Sequence, residues 1–252
     1  MTRSSQQTYI QRLGFQDKDR SNPRHGLACE YLLDRLIQRE FIGRIPELKD
    51  NLVQERIKRL RERIYELDNL IQDNKRRLKH GFLAESIESQ IEDQSKSIDD
   101  KQGEIDRLPL IANAAVDDQI AADIYDLLPS SNFISAPITN GKFINGFADV
   151  LFDCFVWLEF QDGMAIKPVI DRRNYRVILG EIKITQEPAE NIIQQIAFYR
   201  QFVDAKEVII LVDYDAPQLK RMTAGSDIHV YKLGSKFDAW CAAKAQPHIE
   251  EF

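Results

Sequence analysis

An acid and an amine two residues apart on a β-strand share one face, and Glu181-Ile182-Lys183 offers such a pair inside the apolar run Val177-Ile178-Leu179-Gly180-Glu181-Ile182-Lys183-Ile184. Taking both heads out of water is costly unless something pairs with them, which marks the pair as a candidate site for a metal or a substrate. Upstream, Asn145-Gly146-Phe147-Ala148-Asp149 places a second acid in a strand-like segment, after a glycine that permits close backbone approach. Downstream, Gln195 and Tyr199 are four residues apart in a helical pattern and lie on one face. His25 and Glu30 stand at the start of the first helical segment. This set suits phosphodiester hydrolysis, which needs hard oxygen ligands for Mg²⁺ or Mn²⁺, an attacking water and a cation near the developing charge. Asp149 and Glu181 supply carboxylates, and the Ile182 carbonyl a neutral ligand. Lys183 can orient the water, favour its deprotonation or stabilise the oxyanion.

Acid-x-Lys is a common triplet, and four others occur: Glu47-Leu-Lys49, Asp73-Asn-Lys75, Asp99-Asp-Lys101 and Asp204-Ala-Lys206. The first three lie in helical patterns, where residues i and i+2 do not face each other, and the fourth sits at a turn. Only Glu181-Ile-Lys183 has the strand context that brings both heads together. Blander readings stand beside each assignment. Glu181 and Lys183 could be an exposed ion pair on an edge strand. Asp153 or Glu159 could replace Asp149, and His25 could be a loop histidine. Gln195 and Tyr199 could be the polar edge of a packed helix.

The elements that must hold these residues follow from periodicity. Met1 to about Pro23 is polar and irregular, and a helix fits Gly26 to Phe41 with Leu27, Tyr31, Leu32, Leu36 and Ile37 along one side. Strands fit Phe133–Ile138, Phe143–Phe152, Phe155–Phe160 and Arg176–Ile184, with turn signals at Thr139-Asn140-Gly141 and Gln161-Asp162-Gly163. A helix opens at Glu187-Pro188 and reaches about Phe202, followed by a strand at Glu207–Val212. A short helix around Gln218, a strand at Ile228–Leu233 and a helix at Phe237–Ala245 close the chain. Asp213-Tyr214-Asp215 reads as a strand-to-helix cap. This order predicts a mixed central sheet flanked by helices.

Between these parts, Pro46 to Leu108 carries a heptad beat. Ile57, Leu60, Ile64, Leu67, Ile71 and Leu78 form one seam with Asn74 at a core position. After Lys79-His80-Gly81 the beat restarts at Ile87, Ile91, Ile98, Ile105 and Leu108, with Gln94 and Lys101 at weaker positions. Two seams broken by a His-Gly turn predict an antiparallel helical hairpin. The first arm has 10 basic against 7 acidic residues and the second 3 against 8, a difference in sign that favours their pairing. A further helix fits Ile111–Leu128, closed by Pro129-Ser130-Ser131.

Together these residues resemble the PD-(D/E)xK nuclease superfamily, in particular its RecB-like and lambda-exonuclease-like branch. Gly146-Phe-Ala-Asp149 looks like its Gly-x-x-Asp element, Gly180-Glu181-Ile182-Lys183 its acid-x-Lys strand and Gln195-Ile-Ala-Phe-Tyr199 its Gln-x-x-x-Tyr helix. His25 and Glu30 stand where that branch has a first-helix His and Glu. The likeness covers about residues 23–43 and 130–235. It implies a restriction-endonuclease-like α/β fold and metal-dependent DNA cleavage. Asp149, Glu181, the Ile182 carbonyl and Glu30 would bind Mg²⁺ or Mn²⁺, with His25 as a further candidate. Lys183 would assist catalysis, and Gln195 and Tyr199 would line the DNA side of the cleft. Ala148 stands where the superfamily's name has proline, and the loop between Asp149 and Glu181, which includes Asp171-Arg172-Arg173, is longer than usual. The cysteine set of iron–sulfur relatives is missing, so no cluster is expected.

The expected organisation is residues 1–44 as the N-terminal segment and first core helix, 45–108 as an inserted coiled-coil hairpin, and 109–252 as the nuclease core. The net charge of −6 excludes a protein that coats nucleic acid by bulk charge, but not a nuclease with a local positive cleft. With no signal-like N-terminus, no membrane-length apolar run and three widely spaced cysteines, the expectation is a cytoplasmic, reduced protein without membrane contact. DNA is the expected substrate, and the hairpin the arm for a homodimer or a protein partner. Purified protein with Mg²⁺ or Mn²⁺ is expected to cut DNA, and Asp149→Ala and Lys183→Ala to abolish cutting without loss of folding. The alternatives are an inactive relative that binds DNA or protein, and a scaffold acting through its hairpin.

Overall fold

The computed structural model describes residues 22–80, 84–129, 133–139, 144–161, 165–171 and 177–245. The turns expected at His80-Gly81, Ser130-Ser131, Asn140-Gly141 and Asp162-Gly163, and the charges of Arg172 and Arg173, lie wholly or partly outside them. The chain forms two compact units, one of Met1–Phe41, Tyr125–Phe155 and Ile170–Phe252, the other of Ile42–Ile124 and Val156–Val169.

The first unit is built on a five-stranded mixed sheet of order β1-β2-β5-β6-β7, from β1 (Ile134–Thr139), β2 (Ile144–Phe152), β5 (Val177–Lys183), β6 (Ala205–Val212) and β7 (Ile228–Lys232). β2 is antiparallel to β1 and β5, whereas β5, β6 and β7 are parallel. Parallel neighbours require crossovers, supplied by α5 (Ala189–Tyr199) and α6 (Pro217–Met222). Helix α1 (Pro23–Glu40) covers one face and α5 the other.

Glycine sets how closely α1 approaches. A Cβ on Gly180 would lie 2.6 Å from Leu32 Cδ2 and 2.9 Å from Val150 Cβ, so a side chain there would push helix and strands apart. On the opposite face Leu179 packs with Ile192, Ile196 and Val208 beneath α5. Both faces of β5 are therefore covered, and the strand is central rather than at an edge. The edge-strand ion pair is excluded.

Helix α1 starts three residues earlier than the periodicity predicted. Asn22 accepts a hydrogen bond from the Arg24 N–H at 3.0 Å and Pro23 occupies the first turn, an N-terminal signature that reads locally as a turn. Its buried side is Ala28, Cys29, Leu32, Leu33, Leu36 and Ile37, while Leu27, expected in the core, is 36% exposed. The unit closes with α7 (Ser235–Ala245), where Phe237 packs edge-on to Tyr31 of α1.

The second unit contains the hairpin of α2 (Ile45–Lys79) and α3 (Ala84–Ala114). Ile57, Leu60, Leu67 and Ile71 of the first seam are buried, as are Ile87, Ile105 and Leu108 of the second. Asn74 donates to Gln94 across the seam at 3.3 Å, a polar layer in a mainly apolar interface. Arg56 pairs with Glu104 between the arms. α3 does not stop at Leu108; it continues through Pro109 to Ala114, and a short break separates it from α4 (Asp117–Leu127). Proline removes one backbone donor and crowds the preceding turn, yet here the buried Leu108 and Ala112 on either side keep the helical path. The stretch expected as loop after β3 (Phe155–Gln161) holds a further strand, β4 (Ala165–Asp171), the two pairing as a separate small sheet. Pro168 obscures that strand in the sequence, since proline is tolerated only where a ladder donor is not needed.

Candidate active site

The ladder between β2 and β5 runs from Phe152–Ile178 to Val150–Gly180, and Asp149 and Glu181 are the next residues along. There the Asp149 side chain replaces a backbone partner: its Oδ2 accepts the Ile182 N–H at 2.8 Å. In a strand the N–H and C=O of one residue point to the same edge, so the Ile182 carbonyl is directed to the β2 side as well. Lys183, one residue on, points its carbonyl the other way, accepting from the Asp213 N–H at 3.0 Å. Ser135, which lies between the register pairs flanking Asp149, has φ of 52°, a conformation rare for a side-chain-bearing residue.

Glu181 and Lys183 extend from β5 toward α5 and are 2% and 8% exposed. Lys183 Nζ lies 2.9 Å from Glu181 Oε1 and 3.4 Å from Glu187 Oε2. Gln195 ties the pair together: its Nε2 donates to Glu181 Oε1 at 2.7 Å while its Oε1 accepts from Lys183 at 3.0 Å. The second Nε2 hydrogen goes to Tyr199 Oη at 3.0 Å, and that hydroxyl donates to the Phe147 carbonyl at 3.1 Å. One helical face thus links the acid-x-Lys strand to the strand bearing Asp149. Gly146 makes room for this, since a Cβ there would sit 2.8 Å from Tyr199 Cε1.

Burial disfavours a charged Lys183, but the neighbouring charges of Glu181 and Glu187, the hydrogen bond to Glu181 and the field of Asp149 outweigh it and raise its pKa well above the ordinary lysine value. The amine is held as an ammonium. It can stabilise a developing negative charge, and it is unsuited to accept a proton.

The sequence-predicted residues divide clearly. Asp149, Glu181, Lys183, Gln195 and Tyr199 come together, and the Ile182 carbonyl points to the same gap. His25 joins them, with Nε2 3.3 Å from Asp149 Oδ1 and Nδ1 3.7 Å from Cys29 Sγ, a residue not anticipated. Glu30 lies elsewhere: it pairs with Lys244 of α7. Five residues beyond His25 on a 3.6-residue helix it points well away from His25, so it is not brought to the site. Tyr199 is buried and works from behind the acids rather than lining an open cleft. Glu187 was missed because Glu187-Pro188 reads as a helix start; its spacing of four from Lys183 was the available signal. Asp213 does not cap α6. It receives a two-pronged contact from Arg24, at 2.6 and 3.0 Å, which fastens the first turn of α1 beside His25.

In donor type the site fits a hard divalent cation: two carboxylates and a directed carbonyl, each carboxylate oriented by its own hydrogen bonds. Among the described residues no group of three His, Cys, Asp or Glu side chains is placed to hold a metal ion. A magnesium site does not require one, because Mg²⁺ keeps waters and binds through one or two carboxylates plus substrate phosphate. No helix among the described residues is long and apolar enough to cross a membrane. Comparison of the chain with protein-family models, with curated proteins and with solved structures found no significant match, so the geometry of the site and the residues themselves carry the functional reading.

Proposed function

We propose that the protein is a metal-dependent deoxyribonuclease of PD-(D/E)xK type, with a restriction-endonuclease-like core. The observation that carries this reading is the convergence, at the point where β2 and β5 part, of Asp149, Glu181 and a buried ammonium on Lys183. Such a cluster is expensive to bury and contributes little to packing. Asp149 and Glu181 would hold Mg²⁺ or Mn²⁺ with the Ile182 carbonyl, and the ion would supply charge stabilisation and an acidified water. Lys183 would neutralise charge on the phosphoryl oxygens as the water oxygen bonds to phosphorus and the bridging P–O bond breaks. Gln195 and Tyr199 keep Glu181 and Lys183 in register, and His25 orients Asp149. The long hairpin, ~50 Å along its first arm, is proposed as an arm for a protein partner or a second copy; Tyr65 and Leu70 stand exposed on it.

The test is a panel of linear, circular, nicked, branched and single-stranded DNA, and RNA, incubated with Mg²⁺ or Mn²⁺ and with chelator. Metal-dependent cutting of DNA is expected, lost in Asp149→Asn and Glu181→Gln. Cutting by these variants at the parent rate, or no cutting of any substrate, would sink the assignment.

A further inference from the structure

A groove of about 490 Å³ runs between α1 and the β7–α7 connection in the first unit. Its floor is apolar, from Leu36 and Leu211, and its walls carry Arg35 and Arg39 on one side and Lys232 and Lys236 on the other. Among the described residues no carboxylate lines it, although the whole chain has a net charge of −6. Arg39 is engaged by Glu207, and Lys232 by Asp215. Arg35 and Lys236 have no ion pair with a described residue; Arg35 lies over the Tyr31 ring at 5.1 Å. Tyr231, also lining the groove, is 52% exposed and stacks on His229 with 29° between the rings. Cations along a channel with a large accessible aromatic face are what an unpaired nucleic-acid strand requires, since every base has a face to stack and every phosphate a charge to meet.

The groove lies on the α1 face of the sheet, where Leu211 and Tyr231 pair in register, whereas Glu181 and Lys183 extend from the opposite face toward α5. Along the strand direction the two are level: Lys183 pairs in register with Val212, and Val212 with Lys232 at the groove's end, two strands apart and about 10 Å at ordinary strand spacing. From Tyr31 to Arg39 the helix wall extends a further ~12 Å. That length suits two or three nucleotides.

We propose that this groove holds a single strand of DNA, with Arg35 and Lys236 on its phosphates and Tyr231 stacked on a base. The strand's continuation to the acids rests on the nuclease reading, but binding does not require cleavage. The experiment is therefore run with chelator present, using the full chain and a fluorescently labelled twelve-nucleotide oligothymidine, with anisotropy recorded over a range of salt. The parent is expected to bind this strand more tightly than a duplex of the same length. Arg35→Ala with Lys236→Ala should weaken binding about tenfold and lower the log–log salt slope by about 1.4, two phosphate contacts at ~0.7 each. Tyr231→Ala should cost about fivefold or more with the slope unchanged. If the double variant melts early, Lys236→Gln alone gives the same slope test at half size. Unaltered affinity and slope in the variants, equal losses for duplex and single strand, or no binding by the parent would each overturn the proposal. Groove-dependent binding by a protein that cuts nothing with any metal would leave the groove standing and remove the nuclease reading.

Discussion

The hairpin and the sheet both bury polar side chains, and they do so to different ends. In the hairpin seam Asn74 and Gln94 are neutral, face each other and complete one layer in a mainly apolar interface. A buried polar layer of this kind fixes register at some cost in stability. In the sheet Asp149, Glu181, Lys183 and His25 are ionisable, crowd the end of a central strand and depend on one another for their hydrogen bonds. A seam needs only one polar layer to define its alignment. A cluster of this cost beside parted strands is the departure from good packing on which the proposed function rests.

Four changes test that contrast, from the largest effect to the smallest. Lys183→Met should reduce metal-dependent cutting by about a thousandfold, as loss of a preorganised charge at a reacting phosphate does, measured as initial rates on the best DNA substrate. Cutting at more than a tenth of the parent rate would place Lys183 outside the reaction.

The second change concerns stability and revises the expectation that Lys183→Ala leaves folding intact. With Lys183 buried against Glu181, alanine strands a carboxylate without its ammonium, at a cost of about 3–5 kcal/mol. Glu181→Gln with Lys183→Met removes both charges and should recover most of that loss in denaturant melts while remaining inactive. Failure to recover would mean that the pair is not coupled. The pH dependence has a definite sign. Lys183 has a folded pKa raised above its ordinary 10.5, so its contribution to stability is complete below that value and is lost only as pH rises beyond it. Stability from this residue should therefore be constant from neutrality to about pH 9.

Gly180→Ala is the third, with about 1–3 kcal/mol of destabilisation from the clash with Leu32 and Val150. A thermal melt matching the parent would show that α1 can move off the sheet cheaply. The smallest effect belongs to the hairpin. Asn74→Leu should shift stability by no more than about 1 kcal/mol, in the stabilising direction, while allowing other alignments of the arms. Broadened cysteine cross-linking patterns between the arms would report that loss of register, and a single unchanged pattern would show that Asn74 does not set it.

Much of this was legible in the sequence because it depends on local pattern. The heptad beat of Ile57 through Leu108 needed no partner beyond the next arm to announce the hairpin. The β-branched run of β6 and the strand around Glu181 were read from a few residues each. β4 was not, because Pro168 hides a strand that pairs only at the margin of a small sheet.

For the site, sequence by itself determined the donors: which residues carry carboxylate, ammonium and amide, and that Glu181 and Lys183 share a face of one strand. Tertiary structure decided who meets whom. It set β5 at the centre of the sheet, which turned a surface-like ion pair into a buried one. It brought His25 to Asp149, and it directed Glu30 to Lys244 instead. These outcomes depend on helix phase and strand order across more than a hundred residues, and separations of that size leave no local period for a sequence to display.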